Sequence, residues 1–390
     1  MKLSTIDSIL AAMDGPCRAL DFGILLHLRT APELEGLRTG ARSARNRYPA
    51  SGSVIDGNRW VPTAVPGDGV TVCTSANAVQ EFLARRLDPG KDAPIQQLVV
   101  TGDPDGKTLL MTRVHHAAAD GSSVAMWLRH QLRVAAGFER PVLERSAFEP
   151  VPLRRHPSPV RKSPFGYRRP AEKLWTRSDR STGSRCWLTI ELPSSFRGAD
   201  ALATAALETL LEWNCAHGAR SRRVGLWLPV NIRERQAKGF GNGTSRIRIY
   251  PRQSGSDSGN QSFGDKCRET RRQIRWGLKH GEWAIPQDSW LGGPLLKVYL
   301  NRPWADMGSS VFTCVENWGG HEDAAFQEIE KIECIGQLHR QHAVAMNGLS
   351  LGGKTWLTFT YDPGQWTCGD IRQFVDSYQE QIALAEEAVA

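Results

Sequence analysis

The sequence of 390 residues has no run approaching the roughly 18 consecutive apolar residues of a membrane-spanning helix. Its eight cysteines (Cys17, Cys73, Cys186, Cys215, Cys267, Cys314, Cys334 and Cys368) include no Cys-x-x-Cys pair. Scattered this way they read as reduced, mostly buried thiols and not as a disulfide framework or a zinc site. The opening, "MKLSTIDSILAAMDGP", carries one lysine and a short apolar patch before it turns acidic. It lacks a signal-peptide core and a small-residue cleavage site, so a cytoplasmic location is expected. There is no short internal repeat, no low-complexity tail and no recognised nucleic-acid module.

What is present suits a soluble globular protein. A hydrophobic content of 40% with 23% charged residues allows a substantial core, and the length allows two domains. Thirteen tryptophans are many for this length, and most are expected in the core. The net charge of +8 is uneven. Much of it lies in "VPLRRHPSPVRKSPFGYRRPAEKLWTRSDR" (151–180) and more in "KCRETRRQIRWGLKH" (266–280). A solvated linker and a solvated helix face account for both. Phosphorylated ligands or acidic carrier proteins would suit the same charge.

The stretch from 151 to 180, rich in proline and arginine and without a period, divides the chain into two lobes. We place the first lobe at 1–165, the basic linker proper at 166–180 and the second lobe at 181–390. In the first lobe, "LDFGILLHLRT" reads as a strand and "PELEGLRTGARSARNRY" as a helix. "DAPIQQLVVTG" and "KTLLMTRVH" read as a strand pair joined by "GDPDG", and "SSVAMWLRHQLRVAAG" as a helix. In the second lobe, "CWLTIELP", "RRVGLWLPVNIR", "SRIRIYP", "SSVFTCVENWGG" and "KTWLTFTYDP" read as strands. "ADALATAALETLLEWNCAHG" and "GDIRQFVDSYQEQIALAEEAV" read as helices. Each lobe thus mixes strands and helices in an α/β (α+β) sandwich.

Between a strand ending near His115 and a helix starting near Ser122 lies "RVHHAAADGSS". Its three alanines leave room for a group to approach the histidines. Gly121 permits backbone conformations that residues with a Cβ resist. Ser122 and Ser123 can cap the helix, whose amides favour negative charge. A histidine held by neighbouring backbone groups can take a proton from a hydroxyl or amine near neutral pH. The acceptor itself can then attack, without a serine or cysteine nucleophile. His115, His116 and Asp120 are all metal-ligand types. Adjacent histidines on a pleated strand point opposite ways, so no shared metal ion is expected.

The pattern His-His-x-x-x-Asp-Gly, here His115, His116, Asp120 and Gly121, resembles the active-site motif of the condensation-domain and chloramphenicol acetyltransferase-like acyltransferase superfamily. Stand-alone condensation proteins and wax ester synthase/diacylglycerol acyltransferases resemble this chain most. "LSTIDSILAAMDGP" looks like their Leu-Ser-x-x-Asp opening before a helix. "LPVNIRERQAKGFGN" resembles their second-lobe strand, with an Asn-x-Arg and a following Gly-Asn. "FTCVENWGG" sits where they carry an asparagine-glycine element beside a tunnel. The motif lies in the first third of the chain, which favours two lobes in one polypeptide. Where peptide-synthetase condensation domains carry an arginine, "RNRYPASGS" has Gly52, so the ion-pair partner of Asp120 is unassigned.

The resemblance implies two chloramphenicol acetyltransferase-like lobes forming a pseudo-dimer around a central tunnel. It implies His116 as general base or acceptor-positioning group, His115 as loop support, Asp120 as the residue that holds the loop, and Gly121 as space for a thioester arm. Asn317 is a candidate for lining the tunnel. The implied reaction moves an acyl or aminoacyl group from a pantetheine thioester, on a carrier protein or coenzyme A, to a hydroxyl or amine of a small molecule. No tightly bound cofactor, metal, nucleic acid or membrane span is expected, and the chain is expected to be a monomer. Secondary metabolism is the expected setting. Two rival readings are a wax ester or triacylglycerol synthase using acyl-coenzyme A, and a non-catalytic docking protein for a carrier protein or tailoring enzyme.

Overall fold

Two sheets organise the chain. The computed structural model describes all residues except 16–19, 64–67, 76, 102–106, 155–162, 167–170, 194–197, 219–222, 235–238, 252–260, 285–307, 317, 319–322, 339–341 and 388–390. The first sheet contains β1 (Asp21–Leu28), β4 (Val70–Cys73), β5 (Ile95–Val100), β6 (Thr108–His115) and β11 (Ile329–Ile335), in the order β11-β1-β6-β5-β4. The second contains β7 (Cys186–Leu192), β8 (Leu226–Asn231), β9 (Thr244–Ile249), β10 (Ser310–Val315), β12 (Val344–Leu351) and β13 (Lys354–Tyr361), in the order β7-β13-β12-β10-β8-β9. A small hairpin pairs β2 (Ser53–Asp56) with β3 (Arg59–Pro62).

The apolar run of β1 is explained by cover on both faces. Phe22, Ile24 and Leu26 pack with Leu37 and Ala41 of α2 (Leu34–Arg47) and with Val124, Trp127 and Leu128 of α4 (Gly121–Ala135). On the other face Leu25 meets Val79 and Leu83 of α3 (Ala78–Ala84). In the second lobe, α5 (Ala199–Ala216) and α7 (Cys368–Glu387) bury Leu202, Ala206, Leu210, Phe374 and Tyr378 against Leu357 and Phe359 of β13. The helix α6 (Phe263–Lys279) lies beside β9 and α5. Among the described residues eight tryptophans, Trp60, Trp127, Trp213, Trp227, Trp283, Trp318, Trp356 and Trp366, are buried, so this residue type mainly builds core.

Three expectations about organisation change. The strand β11 belongs to the first sheet although it falls within 181–390, pairing antiparallel with β1 from Gly23↔Ile335 to Leu28↔Ile329. Its outer edge is not left open: Thr358 Oγ1 accepts from Cys334 N at 3.2 Å and Thr360 Oγ1 from Gly336 N at 2.9 Å. The lobes are therefore joined by exchanged chain. The segment at 171–180 is also not a solvated linker. Leu174 is buried in the second core, and the Trp175 ring stacks on His217 at 4.1 Å. Finally, α6 carries less uncompensated charge than its sequence suggests. Arg271 pairs with Asp200 at 2.6 Å, Arg272 with Glu269 at 2.9 Å, Lys266 with Glu208 at 2.6 Å, and Arg268 with Asp265.

Candidate active site

The motif sits in the turn from β6 into α4. Pairing of β1 with β6 ends at Asp21↔His115, and one further bond, from His116 N to Leu20 O at 2.7 Å, carries the alignment past the sheet. The chain then turns, with Ala118 N donating to His115 O at 3.0 Å. The sequence suggested open space at Ala117, Ala118 and Ala119, but all three are buried, the first two beneath Trp60 and the N-terminal residues Met1, Leu3 and Leu10. Their small size lets the N-terminal segment close over the loop.

The two histidines have different surroundings. His115 is fully buried; its Nδ1 accepts from Ala117 N at 3.2 Å and its Nε2 faces Asp14 at 3.7 Å. The Asp14 carboxylate also takes Arg86 at 2.8 Å and Leu20 N at 3.1 Å. The His115 ring is thus committed to the loop itself. His116 instead meets Asn242, with Nδ1 to Oδ1 at 3.3 Å, and packs edge-on against Phe22 at 5.3 Å.

Two groups bear on which His116 nitrogen carries the proton: the residue's own backbone and the side chain of Asn242. Asn242 Nδ2 donates to Asp7 Oδ1 at 3.0 Å and to Ala117 O at 2.7 Å, which uses both amide hydrogens. The oxygen Oδ1 therefore faces His116, so Nδ1 is the donor and Nε2 keeps its lone pair. No partner for Nε2 is found among the described residues, and part of the residue's surface stays open. Burial drives the His116 pKa below the ordinary histidine value, and its own backbone, Asp120 and Asn242 offset this only in part. The lowered pKa favours the neutral ring.

Asp120 caps α4, a role expected of Ser122 and Ser123; its Oδ1 accepts from Ser123 N at 3.0 Å. The helix accordingly begins at Gly121. The missing ion-pair partner is Arg233, from the segment after β8 in the other lobe. Its guanidinium grips the carboxylate with both nitrogens, Nη1 to Oδ2 at 2.8 Å and Nη2 to Oδ1 at 2.7 Å. Gly243 N and Thr244 Oγ1 each add a bond to Oδ2 at 2.8 Å. Arg233 Nη2 also reaches Ser123 Oγ at 2.8 Å and Gly241 O at 2.9 Å. Burial alone would raise the Asp120 pKa, but the Arg233 charge and these donors hold it below the ordinary carboxylate value. Position 52 lies in a short 3₁₀ turn, and no side chain there is needed.

Gly121 does not use a backbone conformation closed to other residues, since it is not among the glycines with positive φ. A Cβ built there would meet nothing within 4 Å, so the glycine leaves room. Asn317 lies outside the described residues. One residue on, buried Trp318 donates from Nε1 to Gly121 O at 3.3 Å, which brings this tryptophan to the start of α4. Arg233, Asn242 and Asp7 went unassigned from sequence, although the Asn-x-Arg, Gly-Asn and Leu-Ser-x-x-Asp segments that hold them stood out.

A second histidine constellation has the form of a hydrolase triad but not its access. His130 Nε2 lies 2.8 Å from Ser43 Oγ, and its Nδ1 lies 2.9 Å from Glu139 Oε1. Ser43 is buried, and its Oγ also accepts from Val142 N at 2.7 Å. Arg47 sits on the same Glu139 carboxylate. This network straps residues 139–142 to α2 and presents no reachable nucleophile.

No family model matches the sequence, and no curated protein does. Solved structures match along its length. The trichothecene 15-O-acetyltransferase of Fusarium sporotrichioides is similar at a TM-score of 0.69 and 11% identity, over 98% of this chain and 94% of that one. The first condensation domain of the CDA synthetase is similar at 0.66 and 13% identity, over 98% and 95%. A mutant starter condensation domain of rhizomide synthetase, in complex with C8-CoA, is similar at 0.66 and 12% identity, over 98% and 94%. This chain has the two-lobed fold of condensation domains and chloramphenicol acetyltransferase-like acyltransferases.

Proposed function

We propose that a chain with this fold and this histidine is an acyltransferase of the condensation type. It would move an acyl or aminoacyl group from a pantetheine thioester to a hydroxyl or amine, with His116 as the base. The observation that carries the reading is the His116 ring at the junction of the two lobes, with Nδ1 turned to Asn242 and no partner for Nε2 among the described residues. The acceptor's proton passes to Nε2 as its oxygen or nitrogen attacks the thioester carbon. The tetrahedral intermediate collapses, the carbon–sulfur bond breaks, and the departing thiolate takes the proton from the imidazolium. Holding donor and acceptor together in a tunnel between the lobes supplies much of the rate. His115 and Asp120 keep the loop in shape, and Gly121 leaves space for the thioester arm.

The donor is a carrier-protein or coenzyme A thioester. The C8-CoA complex of a similar starter domain supports the second, and the paired arginines of α6 remove one argument for a broad cationic docking face. The test is incubation of the protein with short-chain and C8 thioesters of coenzyme A, of a carrier protein and of a pantetheine mimic, plus mixed alcohol and amine acceptors. Release of free thiol and the mass of the acylated product are followed. Wild type should transfer and His116→Ala should lose about 10²–10⁴-fold in rate. No thiol release from any donor, or equal release by the variant, would refute the reading.

A further inference from the structure

The N-terminal helix α1 (Thr5–Met13) opens with a reciprocal cap. Ser4 Oγ accepts from Asp7 N at 3.1 Å, and Asp7 Oδ2 accepts from Ser4 N at 3.1 Å. A cap would explain an aspartate here, but it occupies only one of the two carboxylate oxygens. Trp60 Nε1 lies 3.5 Å from the same Oδ2. The other oxygen, Oδ1, takes the Nδ2 of Asn242 at 3.0 Å, from a residue 235 positions away. Both residues are buried, Asp7 at 7% exposure and Asn242 at 4%, so water cannot readily replace the contact.

We propose that Asp7 is a positioning residue of the active site: its carboxylate holds the Asn242 amide with the oxygen towards His116, so that His116 keeps its proton on Nδ1 and presents Nε2 bare. Its importance for the reaction rests on the reading of His116 as the base. Reversing the amide would set Asn242 Oδ1 against two acceptors, Asp7 Oδ1 and Ala117 O, and would turn the Nδ2 hydrogens on His116. Without Asp7 that reversal is opposed by the Ala117 carbonyl and by the hydrogen bond of the His116 ring to its own backbone. The chain Asp7–Asn242–His116 links the first residues, the second lobe and the motif loop, and each link is a direct hydrogen bond. An aspartate here thus serves a helix start and a histidine ring with its two oxygens.

The experiment uses full-length protein labelled with ¹⁵N-histidine, with the His116 signals identified by their loss in His116→Gln. Wild type should show the proton on Nδ1 and a bare Nε2; the proton on Nε2 would overturn the proposal without any Asp7 variant. Asp7→Ala should move the His116 signals towards the other tautomer. Its kcat should fall about tenfold with KM nearly unchanged, short of the 10²–10⁴-fold that a lost base costs. Ser4→Ala removes the side-chain cap but leaves both Asp7 oxygens in place. It should lower Tm while leaving the ring signals unmoved, which separates positioning from capping. Unchanged ring signals and kcat in folded Asp7→Ala would overturn the proposal. A shifted ring together with full activity in His116→Ala would keep the positioning and discard the base.

Discussion

Replacing Arg233 with methionine keeps much of the side-chain volume and removes the guanidinium from a carboxylate that is 2% exposed. Breaking a buried pair by taking away one partner costs about 3–5 kcal/mol, because a charge is left uncompensated. Asp120 retains three donors, Ser123 N, Gly243 N and Thr244 Oγ1, which places the loss at the lower end, about 3 kcal/mol. For 390 residues unfolding together, the entropy of unfolding is about 0.8 kcal/mol per degree, so Tm should fall by about 4 °C. The pH dependence is more diagnostic. In wild type the depressed Asp120 pKa contributes stability that is complete above its unfolded value and is lost as pH falls through the folded one. In the variant burial prevails, the pKa rises above the unfolded value, and the carboxylate destabilises the fold at neutral pH. The gap in unfolding free energy should be widest at pH 7 and narrow on acidification. Urea titrations of both proteins from pH 7 down through the ordinary carboxylate value of 3.8 measure it. A gap below about 1 kcal/mol at pH 7, the worth of an exposed pair, would refute the buried-bridge argument. A gap independent of pH would refute the assignment of the cost to Asp120.

The remaining expectations concern chemistry and recognition. Transfer should be flat around neutral pH and fall only as pH drops below the ordinary histidine range, since burial depresses the His116 pKa; a pH–rate profile falling already between pH 8 and 7 would contradict this. Gly243→Ala would place a Cβ 2.3 Å from Arg233 Cγ and 2.8 Å from its Cζ, so the guanidinium must shift off Asp120. This variant should therefore lose both Tm and kcat, and normal values for both would show that the bridge tolerates displacement. Charge reversal of Arg161, Lys162, Arg168 and Arg169, all outside the described residues, should weaken transfer from a carrier-bound donor at low salt and spare a pantetheine mimic. Equal losses with both donors, or none, would remove the linker from carrier recognition.

Much of the architecture was legible along the chain because its signals are local. The apolar run of β1, the alanine- and leucine-rich α5 and the alternation of β9 each report their own element and one burying face. The hairpin of β12 and β13 was half seen. "KTWLTFTYDP" reads as a strand, whereas Asn347 and Gly348 interrupt the pattern of its partner. The two-residue turn that joins them, Gly352 at φ 60° and Gly353 at φ 78°, is a glycine pair of the kind such turns demand. The strand β11 was missed for a different reason. "IEKIECI" alternates weakly, and nothing local says that its partner is β1, some 300 residues earlier.

The site divides in the same way. A histidine pair, a carboxylate and a glycine at that spacing fit a strand-to-helix turn that carries an imidazole, and this is a local signal. Sequence alone therefore placed His115, His116, Asp120 and Gly121 in one loop. Which histidine keeps a bare nitrogen and where the ion-pair partner comes from depend on residues brought in from other elements. Those are Asn242, Arg233 and Asp7, up to 235 positions from the groups they touch. A hydrogen bond or buried ion pair needs ångström-scale approach and the exclusion of water, and only packing of the two lobes supplies both. The residue types were in the chain from the start; their roles came with the fold.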